Sequence, residues 1–193
     1  MSGARDQGDL FSEATDIGLM RFLLADLHDD LFGTVARFRQ LADLSMALGS
    51  SGTLLPGGET THAAWTEARS SFVHGNYVAT VMLCQGLAEH VLASHLTLAL
   101  DAEPLPDRIT FKETLARCVG KGALTEEDAD HLRRLMALRN PLSHFRGIDD
   151  PTNLSRRAID TRQSAVSHLF ADATFAIATA VRILSLPDFR LGA

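Results

Sequence analysis

The chain has 193 residues and a formal net charge of −6, a length that suits one compact domain with a substantial apolar core. Aromatic residues make up only 6% of the sequence, and the alternating Val, Ile, Thr and Tyr pattern typical of strands is missing, which argues against a β-rich fold. The composition therefore predicts an all-α protein. Cys84 and Cys118 lack metal-ligand spacing, so we expect two small buried thiols in a reducing compartment.

The first twelve residues are polar and show no periodicity, which predicts a flexible tail. Charged residues interrupt this segment before any apolar run begins, so no signal peptide is expected. The most apolar stretch, residues 78–100, carries Glu89, His90 and His95 near its middle, and these side chains would be costly in hydrocarbon. We therefore expect a cytoplasmic protein without a membrane partner.

Residues 13–193 are predicted to form a single helical domain. Apolar residues at three- and four-residue spacing predict a long N-terminal helix over 13–48, with Gly33 as a candidate bend. A loop rich in glycine follows over 49–58. Thr110 and Glu113 form the pattern of a capping box, and acidic residues at 126–128 suit a helix start. The further predicted helices span 61–73, 77–100, 110–119, about 124 to the motif below, and 155–186.

Arg139 and His144 lie five positions apart where the helix that begins near residue 124 ends. A permanently charged guanidinium can hold a phosphate and the extra charge of its transition state, while an imidazole can take and return a proton near neutral pH. Pro141 disfavours helical geometry at Asn140, so a kink or a helix end is expected between Arg139 and His144. Such a break lets the two side chains converge, whereas a continuous helix turns them about 140° apart.

Arginine is concentrated around this pair. Residues 133–162 contain seven arginines and three aspartates, a local charge of +4, so the rest of the chain carries −10. A basic patch of this kind is compatible with a phosphate-bearing ligand, and it makes Arg134, Arg146, Arg156 and Arg157 candidate RNA-binding residues. The alternative is that these are ordinary arginines on solvated helix faces, and the sequence alone does not separate the two interpretations.

With this motif the sequence resembles the HEPN superfamily, whose members are small α-helical bundles with an Arg-x4-6-His motif and usually a polar residue after the arginine. The resemblance covers about residues 61–186 and implies an up-and-down bundle of about five to six helices, with the N-terminal helix added and packed against it. It is carried by the run from Arg139 to His144, by Phe72, Gly75, Tyr77 and Glu89 within residues 68–89, and by Leu132, Leu135 and Leu138 ahead of the motif.

The resemblance implies a metal-independent endoribonuclease that needs no cofactor and acts as a homodimer, with two motifs facing each other across a shared cleft. The ribose 2′-hydroxyl would attack the adjacent phosphorus and leave a 2′,3′-cyclic phosphate and a 5′-hydroxyl. His144 would be the general acid or base, Arg139 would bind the scissile phosphate, and Asn140 would hold the motif in shape. Glu89, from a preceding helix, would orient Arg139 or His144.

The same resemblance implies a role as a toxin or phage-defence effector with an antitoxin or regulatory protein as partner. HEPN toxins that a nucleotidyltransferase silences carry a tyrosine after the motif histidine, and Phe145 stands there instead. That form of regulation is therefore not expected.

Two alternatives stay open at this point. The first is a non-catalytic HEPN module that binds a nucleotide or RNA, and the second is a helical protein-interaction domain in which Arg139 makes only a structural ion pair. An Arg139 that is paired with an acid inside one subunit would favour the second. The sequence predicts no metal site, because His28 with its neighbouring aspartates and the pair His90 and His95 lack ligand spacing.

Overall fold

A computed structural model describes residues 16–98, 104–106 and 108–190. This part of the chain contains eight α-helices and no strand, and an isolated antiparallel bridge joins Thr53 to Arg190. The all-α prediction is confirmed, while the predicted tail over 1–12 lies outside the described residues. The helices are α1 (Asp16–Asp29), α2 (Leu31–Ser45), α3 (Gly58–Val73), α4 (Tyr77–Leu98), α5 (Phe111–Gly120), α6 (Glu126–Ser143), α7 (Leu154–Thr161) and α8 (Ala165–Leu184).

Helix α4 lies at the centre of the bundle and packs against α3, α5, α6 and α8. Its buried residues are spread around the helix, as is typical of a core helix with neighbours on several sides. Trp65 and Phe72 of α3 are in the core, as the sequence predicts. Cys84 and Cys118 are free, buried thiols, and burial raises the pKa of both, that of Cys118 to about 11.

Helix α6 runs antiparallel to α8. Asp128 in the first turn of α6 accepts a hydrogen bond from Arg182 near the end of α8, at 2.6 Å, whereas Arg134 lies over the ring of Phe175 one to two turns earlier in α8. The C-terminal end of α6 therefore lies toward the start of α8.

Helices α4 and α8 run parallel. Tyr77, the first residue of α4, makes an edge contact with Phe170 near the start of α8, and Ala88 further along lies in the same small cavity as Ile183. The starts of α4 and α8 and the C-terminal end of α6 thus share one end of the bundle, which we call the motif end because Arg139 lies there.

The predicted N-terminal helix is wrong as a single element, because it is broken at Asp30. This residue has φ −116° and ψ 18°, and its carboxylate pairs with the buried Arg37. Gly33 lies within α2 and has a different role from the expected bend. A Cβ at Gly33 would lie 2.2 Å from Oδ1 of Asp30 and 2.8 Å from Nη1 of Arg37, so only glycine lets that ion pair approach the helix.

The predicted C-terminal helix over 155–186 is also two helices. Arg162 ends α7 in the left-handed region, at φ 56° and ψ 28°. Ser164 then caps α8, since its Oγ accepts a hydrogen bond from the backbone N–H of Ser167 at 3.1 Å. The breaks at Asp30 and at residues 162–164 account for the eight α-helices of the described ranges, where the sequence predicts six.

The predicted helix starts near residues 110 and 124 are observed, at Phe111 and Glu126. Thr110 accepts the N–H of Glu113 at 3.3 Å, but the Glu113 carboxylate pairs with Arg117 at 2.8 Å instead of closing a capping box. Thr125 and Asp128 form a complete box at the start of α6. Burial alone would raise the pKa of Asp128, but hydrogen bonds from Thr125 and Arg182 outweigh it and lower that pKa.

Helix α1 does not pack against the bundle, which corrects the expectation for the N-terminal segment. Every residue from Leu19 to Phe32 is exposed, including Phe22 at 73% and Phe32 at 91%. Helix α2, in contrast, packs against α3 and α8 through residues such as Leu41. Within the described ranges α8 is the one helix long and apolar enough to cross a membrane, and half of it is buried in the bundle.

Candidate functional site

The C-terminal part of α6 carries Arg139 at the edge of the core. Leu132 and Leu135 are fully buried on one side of this helix, and Arg139 lies one turn beyond Leu135 on the same side. The side chain of Arg139 is half-buried, and its Nε atom is buried without a hydrogen-bond partner. Across the described residues no carboxylate forms an ion pair with Arg139.

Helix α6 continues through Asn140 and Pro141 and ends at Ser143. The expected helix end between Arg139 and His144 is present, but the expectation that Asn140 leaves helical geometry is wrong. Pro141 lies in the last turn of α6, so nearly all of the helix precedes it. Because proline has no N–H, only the carbonyl of Ala137 loses its usual helical donor. Nearby carbonyls are satisfied by Ser143, whose Oγ donates to the backbone oxygens of Arg139 and Asn140 at 3.3 Å each.

His144 follows the helix as its C-terminal cap. Its backbone is extended, at φ −128° and ψ 135°, and its N–H donates to the carbonyl of Asn140 at 3.0 Å. The imidazole is exposed and makes no hydrogen bond to any residue that the structure describes. Phe145 is 94% exposed, so an aromatic ring stands free in solvent directly beside the histidine.

The structure therefore brings Arg139, Asn140 and His144 to one helix end without linking their side chains by hydrogen bonds. A partly desolvated guanidinium without an acid beside it can pair with an anion. The exposed imidazole, five residues further along the chain, can contact a ligand or a second subunit. Both groups are accessible to a phosphate.

The candidate RNA-binding arginines behave differently from Arg139. Arg156 pairs with Asp160 at 2.8 Å and Arg146 with Asp150 at 3.7 Å, both on partly exposed surface where such pairs are weak. Arg134 stacks over a ring of α8, with its guanidinium carbon 4.1 Å from the ring centroid. These contacts favour the interpretation of solvated helix faces for much of the patch.

Arg157 has a structural role that the sequence prediction missed. Its two Nη atoms donate to both carboxylate oxygens of the buried Asp172, at 2.6 and 2.9 Å, and this contact joins α7 to α8. The hydrogen bond raises the pKa of Arg157. One signal in the sequence pointed to it, since an aspartate inside the apolar segment 165–184 requires a partner. Arg157 is thus unavailable to a phosphate while that pair is formed.

Glu89 is not near the motif. It lines an open cavity of about 420 Å³ together with His90 of α4 and Phe111 and Thr114 of α5. Glu89 is twelve residues along α4 from Tyr77, which marks the motif end, and at about 1.5 Å per residue that is a distance of about 18 Å. The expectation that Glu89 orients Arg139 or His144 is therefore not supported by its position.

Across the described residues no group of three or more His, Cys, Asp or Glu side chains is arranged to hold a metal ion. His28 and Asp29 are exposed, while Asp30 pairs with Arg37. No family model, curated protein or solved structure matches this chain.

Proposed function

We propose that this protein is a metal-independent endoribonuclease of HEPN type, with Arg139 and His144 as its catalytic pair and a homodimer as its active form. The observation that carries the proposal is the state of Arg139, a half-buried cation with a buried and unpaired Nε next to an exposed histidine. A structural arginine at this position would have an acid beside it. The HEPN-like identity of the bundle, with its up-and-down arrangement, belongs to the same proposal.

The chemistry needs one group to take the proton of the 2′-hydroxyl and another to protonate the departing 5′-oxygen. Each chain supplies one His144, so a two-fold dimer brings two imidazoles to one phosphate. Arg139 offers its charge to the phosphate oxygens, whose negative charge grows in the transition state. Asn140 keeps the backbone in shape through its carbonyl, which accepts the N–H of His144 at 3.0 Å.

The cysteines favour a cytoplasmic location, and the proposed activity itself calls for control by a partner protein. Both cysteines are free thiols in the core, as expected for a reducing compartment. An accessible nuclease site in the cytoplasm threatens the cell's own RNA, so a toxin or phage-defence enzyme of this kind needs an antitoxin or regulatory protein.

A non-catalytic module that binds a nucleotide or RNA end is the second candidate. It is favoured by the absence, among the described residues, of any hydrogen bond that orients the His144 ring. Catalytic imidazoles usually have such a partner, whereas an anion-binding module needs only Arg139.

The test is cleavage of single-stranded RNA in the presence of EDTA. We expect cutting that yields 2′,3′-cyclic phosphate ends, no cutting of DNA of the same sequence, and a loss of about 100-fold or more in both His144→Ala and Arg139→Ala. His90→Ala removes an exposed histidine of α4 and serves as the matched control, with unchanged activity. Cleavage that survives in both motif variants refutes the mechanism. Inactivity combined with RNA binding that depends on Arg139 supports the second candidate.

A further inference from the structure

Helix α1 and the first half of α2 expose a large apolar surface. Eleven large apolar side chains between Ile17 and Phe38 are at least 40% exposed, and Met20, Phe22, Leu23, Leu27 and Phe32 are exposed by 60% or more. These residues cover several sides of α1, so they do not form the single stripe of a surface helix that packs on its own bundle. The described residues of one chain leave this surface, which we call the α1 surface, uncovered.

The size of the α1 surface is that of a subunit interface. A half-exposed large side chain presents about 100 Å², so the surface amounts to on the order of 1,000 Å². The largest apolar patch of an ordinary monomer is about 300–600 Å². A stable dimer needs about 800 Å² from each partner. One surface of this kind is therefore sufficient for an interface.

Arg37 ties the junction of α1 and α2 to the bundle. Nε of Arg37 donates to the carbonyl of Val73 at 2.9 Å, and Nη1 lies 3.5 Å from the hydroxyl of Tyr77. The same guanidinium pairs with Asp30, which separates α1 from α2. The junction of the two helices is thus tied to the turn between α3 and α4, and a tied surface loses less entropy on association.

The charges around the α1 surface favour a second copy over a lipid membrane. Helices that lie on membranes carry Lys or Arg along their polar face, whereas α1 has Arg21 as its one permanent cation and carries Asp26 and Asp29. A surface that is almost wholly apolar can pack against a second copy of itself, as an isologous interface requires.

The position of the α1 surface links it to the candidate site. Arg37 contacts Tyr77, and Tyr77 packs on Phe170, so the junction of α1 and α2 lies at the motif end of the bundle. Association through the residues next to this junction therefore lies at the same end of the bundle as Arg139 and His144. This link rests on the proposed function, while the interface itself rests only on the apolar area and the charges.

We propose that α1 and the first half of α2 are a self-association surface that pairs with the same surface of a second copy of this chain.

The test measures the oligomeric state of the full chain by sedimentation from about 10 nM to 100 μM, because interfaces of this size have dissociation constants from micromolar downward. Leu23→Asp combined with Leu27→Asp places two charges on the α1 surface, where the side chains are 64% and 60% exposed. The matched control, Ile159→Asp with Val166→Asp, alters side chains that are 65% and 62% exposed on α7 and α8. Fluorescence of Trp65, the one tryptophan, reports that each bundle is folded.

We expect the wild type and the control variant to dimerise equally well. The α1 variant should have a dissociation constant raised by about 100-fold or more, because the centre of an interface tolerates charge poorly. A monomeric wild type, or a dimer that the α1 variant leaves intact, overturns the proposal.

Failure of this proposal is distinct from failure of the nuclease proposal. If the α1 variant stays dimeric and the wild type still cuts RNA in EDTA, the interface lies elsewhere and the chemistry stands. If the α1 variant becomes a folded monomer and the wild type does not cut RNA, the interface stands and the nuclease proposal falls. Binding of wild-type monomers to anionic phospholipid vesicles would assign the surface to a membrane and overturn self-association.

Discussion

Replacing Arg139 by methionine should stabilise the fold while it removes the function. Methionine keeps a long apolar stem but has no guanidinium. The buried Nε of Arg139 has no hydrogen-bond partner, and a buried unsatisfied donor costs about 1–3 kcal/mol. No ion pair is lost with it, because the described residues offer Arg139 no acid. We therefore expect the melting temperature to rise by a few degrees, at about 2–4 °C per kcal/mol for a chain of this length.

Arg157→Met is the matched control for this prediction, because the same substitution there leaves the buried Asp172 unpaired. Arg157 is 25% exposed and Asp172 8%, and removing one partner of a pair this buried costs about 3–5 kcal/mol. The melting temperature should fall by about 6–20 °C. Thermal unfolding followed by circular dichroism, at one protein concentration for all samples, measures both shifts. If Arg139→Met destabilises as much as Arg157→Met, Arg139 holds the fold together and the anion-site argument is refuted.

Three further predictions concern other parts of the chain. Phe145→Ala should leave the melting temperature unchanged, because the ring is 94% exposed. The same substitution should weaken the free energy of RNA binding, measured by titration, by about 1–3 kcal/mol if the ring stacks on a base. Because the pKa of Asp128 is lowered, its ionised carboxylate stabilises the fold fully above the ordinary carboxyl pKa of 3.8. This stabilisation is lost as pH falls through the lower pKa of the folded state. Asp128→Asn should therefore make the free energy of unfolding depend less on pH in the acid range. Cys84 and Cys118, with raised pKa values, should resist a thiol reagent at neutral pH until the protein unfolds, and fast labelling of the native state would contradict their burial.

The sequence predicts the fold best where local signals are strong. Thr110 caps α5 as its sequence pattern predicts, and α6 begins at Glu126, where the acidic residues at 126–128 predict a helix start. The breaks at Asp30 and Arg162 escape prediction because neither has a glycine or a proline at the break. Asp30 is held by Arg37, seven residues away, and Arg162 adopts φ 56°, a conformation that arginine rarely takes. The residue types at these two positions therefore do not signal either break.

The candidate site was predictable in position but not in environment. Residue type and spacing single out Arg139 and His144, and both lie at the end of α6 as expected. Whether an arginine has an acid beside it depends on helices distant in sequence, so Arg157 and Arg139 look alike in the sequence and differ in the structure. The place of Glu89 depends on the direction of α6 relative to α4, which the periodicity of a helix does not encode.

Helix α7 illustrates how little holds one element of this fold in place. None of its residues is buried, and its side chains reach α8 chiefly through Arg157 with Asp172 and through Thr161, whose hydroxyl lies 2.7 Å from Nε2 of His168. Because α7 makes so little apolar contact, the free energy that holds it against α8 comes mainly from the ion pair of Arg157 with Asp172. The helix is thus a separate unit of local unfolding. Its backbone amides should exchange with solvent long before those of α4. The strength of the ion pair between Arg157 and Asp172 then sets how often this segment, which follows His144 in the chain, unfolds locally.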